Sequence, residues 1–182
     1  MFKELQKIEE ERKKAGIDKY VVQLDHLAYR VKMGEKEKFM AEVMNVLPFK
    51  QYKTFQVPKA NAITTSIKLF DTLPVIVISE GLSKDSIVEK YCQKYGSRVH
   101  HLAYEVTNID EIVKIQQERG IEFTTEEIIG SEPEGIKQIF TKPTESTNHI
   151  IEYIQRFGDF DGFFTPSNIE NLMKSTQKLG EA

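Results

Sequence analysis

The sequence predicts an α+β protein of two βαβββ modules forming one cup, with a helix flanking each end. Three observations carry this. Leu24-Asp25-His26-Leu27-Ala28-Tyr29-Arg30-Val31 recurs as Val99-His100-His101-Leu102-Ala103-Tyr104-Glu105-Val106, an offset of 75 residues between His26 and His101. A repeat of that period indicates a duplicated supersecondary unit. After each block, apolar spacing first follows a helix and then three extended runs. Finally, 182 residues with 40% hydrophobic and 29% charged composition suffice for one ordinary domain or two small modules sharing a core, and exclude three domains or a disordered chain.

In chain order, a first helix spans about Phe2 to Lys14, followed by the first repeat block as a strand. Phe39, Met40, Val43 and Met44 sit at helical spacing within Glu35 to Val46, and extended segments follow near Tyr52 to Val57, Ala62 to Phe70 and Leu73 to Ser79. Ser83 is positioned to cap a connecting helix with the apolar stripe Ile87, Val88, Tyr91, Cys92 and Tyr95, ended by Gly96. After the second block, Asn108 with Glu111 three residues on announces a helix carrying Ile109, Ile112, Val113 and Gln116 inward and stopped by Gly120. Strands are then expected near Ile121 to Ile128, Gly135 to Lys142 and His149 to Arg156, and a last helix opens on Pro166, Ser167 and Glu170 as a capping box. No linker rich in Pro, Gly or Ser divides the halves, so one domain is expected over residues 1–182. Its parts are module 1 at about 20–80, a connecting helix at 83–96, module 2 at 98–157 and a lid helix at 166–179.

Composition narrows the function classes. Lys plus Arg total 25 against 28 Asp plus Glu, a net charge of −3 without long runs of one sign, which gives no nucleic-acid footprint. Cys92 is the only cysteine and forms neither an internal disulfide nor a zinc knuckle. The amino terminus is too charged for a signal peptide, and runs such as Pro74 to Ile78 are too short to cross a bilayer. The expectation is a cytoplasmic protein without a membrane or nucleic-acid partner.

Strict alternation places His26 with Leu24, Ala28 and Arg30 on one strand face, and His101 with Val99, Ala103 and Glu105 on the equivalent face. His100 then falls on the opposite face, beside Leu102 and Tyr104. Small Ala28 and Ala103 beside the equivalent histidines leave room for a ligand or ion. His149, which nothing in the repeat matches, reads as structural, and His100 as a packed or hydrogen-bonded partner. Glu152 lies in Ile150-Ile151-Glu152-Tyr153-Ile154, where burying a lone carboxylate is costly unless it ligates a metal or pairs with Arg156 or Lys142. Two imidazoles and one carboxylate make the facial triad of non-haem Fe(II) enzymes, with open positions for substrate and dioxygen. The residue 75 before Glu152 is Val77, which cannot ligate, so one symmetric corner of the site is open.

These residues resemble the vicinal-oxygen-chelate (glyoxalase/dioxygenase) superfamily, and most closely the catalytic carboxy-terminal half of the 4-hydroxyphenylpyruvate dioxygenases. Besides the two histidine blocks, Gln138 to Pro143, Ile151 to Arg156, Gly162-Phe163-Phe164 and the helix with Asn168 and Leu172 carry the resemblance, over roughly residues 20–175. It implies Fe(II), or alternatively Mn, Ni, Co or Zn, on His26, His101 and Glu152. The small-molecule partners would be O2 and a 2-oxo acid that chelates the metal and supplies the electrons for its own oxidation; a homodimer is compatible. Gln138 matches a catalytic pocket position, Val77 and Ser79 line the pocket, and Phe163, Phe164 and Asn168 belong to a closing segment that keeps water out.

The sequence departs from that pattern in three places: the larger enzymes' amino-terminal half has no counterpart, Phe164 replaces a glycine, and Ser79 stands where the family has an asparagine. Partial likeness to methylmalonyl-CoA epimerase, from Ser83 to Val88 and Val99 to Val106, offers an isomerase or lyase alternative. That chemistry needs a fourth ligand and a positioned carboxylate; Val77 and the strand Asn61 to Leu69 supply neither, unless a shifted alignment brings in Glu80 or Gln56. A metal-free small-molecule-binding module is the third alternative.

Overall fold

The computed structural model describes residues 2–71, 74–160 and 163–177. Helix α1 (Phe2–Ala15) leads through a short 3-10 turn into β1 (Val21–Val31), α2 (Lys36–Val46), β2 (Lys50–Val57), β3 (Ala62–Lys68) and β4 (Val75–Gly81). After α3 (Ile87–Tyr95) the pattern repeats as β5 (Arg98–Val106), α4 (Ile109–Glu118), β6 (Ile129–Ser131), β7 (Ile136–Phe140) and β8 (Ile150–Arg156), followed by α5 (Pro166–Thr176). Leu73, Gly162 and residues 178–179, which the expected strand, closing motif and lid helix included, lie outside the described residues.

The eight strands form one curled mixed sheet in the order β2-β3-β4-β1-β5-β8-β7-β6. β1 runs parallel to β4, β5 runs parallel to β8, and the two halves join where β1 pairs antiparallel with β5. The strand order is therefore symmetric about the β1–β5 seam, and the two βαβββ modules predicted from the repeat are its halves. On the outer face, α2 covers Val31, Ile67 and Ile78 with Phe39, Met40 and Val43, while α4 covers Val106, Ile139 and Tyr153 with Ile109, Ile112 and Val113. Each fully buried isoleucine contributes roughly 1.5–3 kcal/mol, so these two stripes fix which face each helix takes. On the inner face, α5 contributes Ile169 and Met173 to a core that includes Ala28, Val77, Ala103, Phe163 and Phe164.

Several boundaries differ from expectation for identifiable reasons. The connecting helix is capped by Ser86, whose hydroxyl accepts from the Glu89 amide at 3.0 Å, and not by Ser83. Ser83 is occupied in the preceding turn, where its carbonyl accepts from the Ser86 amide and its hydroxyl from Asn61 Nδ2. The last helix is capped by Thr165 in place of the Ser167 box, because Pro166 takes the first helical position, where its fixed φ and missing N–H fit. Residues 121–128 form no strand beyond one bridge from Phe123 to Thr141; the turn before Gly135 (φ 78°) fixes the hairpin so that only Ile129–Ser131 pair with β7.

Strict alternation fails at three positions in the seam. Pairing skips one residue at Val22, at Asp25 and at His100. The last two are 75 residues apart and are therefore the same bulge in both modules. The bulge turns His100 toward the cup beside His101, correcting its expected placement on the outer face, and brings Asp25 in beside His26.

The caps provide a test of the local assignments. Ser86→Ala should destabilise the protein by about 1 kcal/mol in urea unfolding, and Ser83→Ala by less than about 0.5 kcal/mol. The reverse order would contradict the assigned cap.

Candidate metal centre

The seam register positions the site. His26 pairs with Ala103 and His101 with Ala28, while Leu27 pairs with its own counterpart Leu102 on the pseudo-two-fold axis. Each imidazole thus faces a small side chain across the seam and is free to lean toward the axis. β8 brings Glu152 beside Ala103, and β4 brings Val77 beside Ala28, so Val77 and Glu152 occupy symmetry-equivalent positions.

His26 Nε2, His101 Nε2 and Glu152 Oε2 stand 3.2 Å apart in all three pairings. Two ligands about 2.1 Å from one ion at angles of 90–110° are roughly 3.0–3.4 Å apart, so this triangle fits one face of a divalent ion's coordination sphere. Glu152 is fully buried, and its Oε2 has no hydrogen-bond partner even though both rings stand within ion-pair distance. Three lone-pair donors of the hard and borderline type that Fe, Mn, Co, Ni and Zn accept therefore converge on one point. The residues present fit such an ion.

The other ring nitrogens are held from behind. Asp25 Oδ1 lies 2.7 Å from His26 Nδ1, and Arg156 grips the same carboxylate with Nε at 2.8 Å and a second nitrogen at 2.9 Å. An Nδ1–H given to Asp25 leaves the Nε2 lone pair directed at the centre, which is how carboxylate partners orient ligating histidines. His101 Nδ1 lies 2.8 Å from His100 Nδ1. Burial, reinforced by the nearby Arg30 charge, holds His100 well below the usual histidine range, so it stays neutral. A neutral His100 can accept from His101 Nδ1–H, again freeing Nε2 for the centre.

Charge is balanced within the cluster. Burial works against a charged His26, but Glu152 and then Asp25 outweigh it and raise the ring to about 9. Burial alone would raise Glu152, and the adjacent His26 and His101 bring it down to about 2. Asp25 is likewise held below the ordinary carboxylate range, its burial outweighed by His26 and Arg156, whereas His101 is lowered mainly by burial. At neutral pH, Asp25 and Glu152 are thus balanced by His26 and Arg156.

A cavity of about 50 Å³ opens from this triangle, with Ala28, Val77, Ser79, Gln138, Phe140 and Phe164 among its walls. That holds roughly three to five waters at about 10–15 Å³ each. Gln138 donates from Nε2 to Glu152 Oε1 at 2.6 Å, while its own buried Oε1 has no partner. Ser79 meets Thr64 at 2.8 Å. Phe164 packs edge-on to His26 with centroids 5.1 Å apart; Phe163 lies behind it at 5.9 Å under the Arg156 guanidinium. Asn168 is buried away from the cavity wall against Gly130, where an added Cβ would stand 2.8 Å from Asn168 Nδ2 and 2.2 Å from the Ile136 carbonyl. The alternative partners for Glu152 are used elsewhere, Arg156 on Asp25 and Lys142 on Glu122. Glu80 accepts from the Gly34 amide, and Gln56 is exposed on β2.

Sequence reasoning did not single out Asp25, Arg156 or Arg30 as members of the site. Asp25 was visible as the counterpart of His100 in the repeat, but its inward turn depends on a bulge that no local signal marks.

The chain belongs to the Glyoxalase/Bleomycin resistance protein/Dioxygenase superfamily, whose model matches residues 25–140. Among solved structures it is similar to a mutant of 4-hydroxymandelate synthase from Streptomyces coelicolor, at 18% identity and a TM-score of 0.75 over 88% of this chain and 55% of that one. It is also similar to methylmalonyl-CoA epimerase from Mycobacterium tuberculosis, at 15% identity and a TM-score of 0.64 over 78% of this chain and 93% of that one. A hypothetical protein from Bacillus halodurans C-125 aligns at 20% identity with a TM-score of 0.63, over 76% of this chain and 97% of that one. At these identities the likeness concerns the fold. The chain spans little more than half of the synthase. No curated protein matches it.

Two measurements follow from the centre. A metal must displace the His26 proton, so Mn(II) binding by calorimetry should release about one proton at pH 7 and tighten about tenfold per pH unit until the metal-free ring deprotonates near 9. Affinity independent of pH would contradict the His26 assignment. Asp25→Asn should weaken Mn(II) binding about 10–100-fold without removing a ligand; an unchanged affinity would show that Asp25 does not orient His26.

Proposed function

We propose that the protein is an Fe(II)-dependent dioxygenase acting on a 2-oxo acid, with His26, His101 and Glu152 as the metal ligands. The observation that carries this reading is the asymmetry of the centre: three donors converge, and the fourth symmetry position is Val77. Three protein ligands leave positions for a bidentate substrate and O2. Fe(II) bound there would supply the redox centre at which the 2-oxo acid chelates and dioxygen is reduced.

The chain's own groups set the conditions for that chemistry. Asp25 and His100 hold the two rings with Nε2 inward. Gln138 pins Oε1 of Glu152, directing Oε2 at the centre, and keeps a buried acceptor for a substrate hydroxyl. Phe164, Ile169, Leu172 and Met173 make the wall beyond the metal apolar and exclude water. Because the closed cavity is only about 50 Å³, entry of an aromatic 2-oxo acid would require α5 and the Phe163–Phe164 segment to swing away.

An epimerase needs a carboxylate to move the proton as well as the metal ligands. Among the described residues lining the cavity, Glu152 is the only carboxylate, and Glu80 and Gln56 do not line it. That favours the dioxygenase over the isomerase.

The test is oxygen consumption by the Fe(II)-loaded protein with a panel of aromatic and aliphatic 2-oxo acids, 4-hydroxyphenylpyruvate included. Uptake should fall to background in His26→Ala, His101→Ala and Glu152→Ala. In Val77→Glu the open corner would be filled, so Mn(II) should remain bound while oxygen uptake is lost. No uptake with any acid, together with racemisation of an acyl-CoA, would overturn the proposal in favour of the epimerase.

A further inference from the structure

The inner face of the cup departs from two-fold symmetry at a second place. Arg30 lies on β1 on the His26 and Ala28 face, is 4% exposed and lines the cavity. Its repeat counterpart is Glu105, which pairs with Gln23 at the exposed other end of the seam. Arg30 pairs with Arg98 across the β1–β5 ladder, but Arg98 donates to the Thr147 carbonyl and does not line the cavity, so Arg30 is the arginine of this pair that faces it. It is also held in place: its guanidinium donates to Thr176 on α5 at 3.0 Å and stacks over the Tyr91 ring at 4.8 Å.

Arg30 lies beside Ser79 in the parallel β1–β4 pairing, and Ser79 is two residues from Val77 on the same face of β4. At a strand rise of about 3.3 Å per residue, the open corner and the arginine end are roughly 7 Å apart along that strand. Between them the wall is Ala28 and Val77, both small or apolar; at the far end, Thr64 and Ser79 add hydroxyls to the guanidinium. A cavity of about 50 Å³ whose walls include both the converging donors and a buried arginine suits a short, doubly anionic chain.

We propose that Arg30, with Ser79 and Thr64, is a specificity-determining anchor for a second carboxylate. The substrate class is then an aliphatic 2-oxo acid bearing a distal carboxylate two or three carbons from the oxo group. This deepens the function proposed above and rests on it for the role of the 2-oxo end. The anchor itself is a property of the chain and is measured by binding.

The probes are 2-oxoglutarate and 2-oxopentanoate, which share a chain length and differ in the distal carboxylate. They would be titrated calorimetrically against the protein with and without Mn(II), in the absence of oxygen turnover. The diacid should bind at least about tenfold more tightly than the monoacid, the difference a single buried charge-assisted contact supplies. Arg30→Met should erase that preference while leaving the monoacid affinity within about twofold, and Arg30→Lys should keep part of it because charge remains but the fork is lost. Equal affinities in the wild-type protein, binding of neither acid, or a preference that survives in Arg30→Met each overturn the anchor. If the preference depends on Arg30 but the Fe(II) protein consumes no oxygen, the dioxygenase reading falls and the anchor stands. If oxygen uptake with the diacid proceeds at an unchanged KM in Arg30→Met, the anchor falls and the dioxygenase reading stands.

Discussion

When β1 and β5 pair antiparallel in the register that sets His26 against Ala103 and His101 against Ala28, two imidazoles that are 75 residues apart in sequence meet across a pair of alanines. Everything at the centre depends on that seam. The parallel neighbours β4 and β8 then deliver Val77 and Glu152 to equivalent corners, and the matched bulges at Asp25 and His100 turn one partner toward the back of each ring. A slip of one residue would move both histidines to the face covered by α2 and α4 and abolish the site. The alanines are small for a reason that packing alone does not give: a larger side chain at either position would fill the space in which the rings converge.

The buried charges form one connected unit. Asp25, His26 and Glu152 are each about 1% exposed or less, and isolated ions there would be costly, so each is stabilised only by the others and by Arg156. Arg156 extends the unit outward, since it also donates to the Phe163 carbonyl at 2.7 Å and stacks on the Phe163 ring. The Phe163–Phe164 segment is thereby tied to the group that orients His26, and Phe163 keeps a left-handed backbone, φ 65°, that a free loop would abandon. The Phe163–Phe164 segment and the orientation of the His26 ring are linked through a single arginine.

Much of this was legible in the sequence, because duplication exposes itself. The shared His-Leu-Ala-Tyr block gave the two modules, the equivalence of His26 and His101, and the contrast between Glu152 and Val77, all of which follow from counting residues. What alternation could not reveal was the bulged geometry: a strand with an extra residue reverses parity upstream of it, so His100 and Asp25 were hidden as site members. The caps at Ser86 and Thr165 were misplaced by three residues or fewer, since Ser83 and Ser167 satisfy the same local chemistry and only the turn and Pro166 decide between them. Arg30 was visible on the correct face, but its burial beside the cavity and its pairing with Arg98 required the third dimension.

The central claim is that one divalent ion binds at the point where His26, His101 and Glu152 converge. The most direct measurement is an anomalous-difference map at the iron edge from crystals of the Fe(II)-loaded protein grown without oxygen. The account predicts a single peak about 2.0–2.2 Å from His26 Nε2, His101 Nε2 and Glu152 Oε2, with Val77 adjacent and not ligating. A peak bound instead through His100 or Asp25, or no peak in the cup at all, would contradict it.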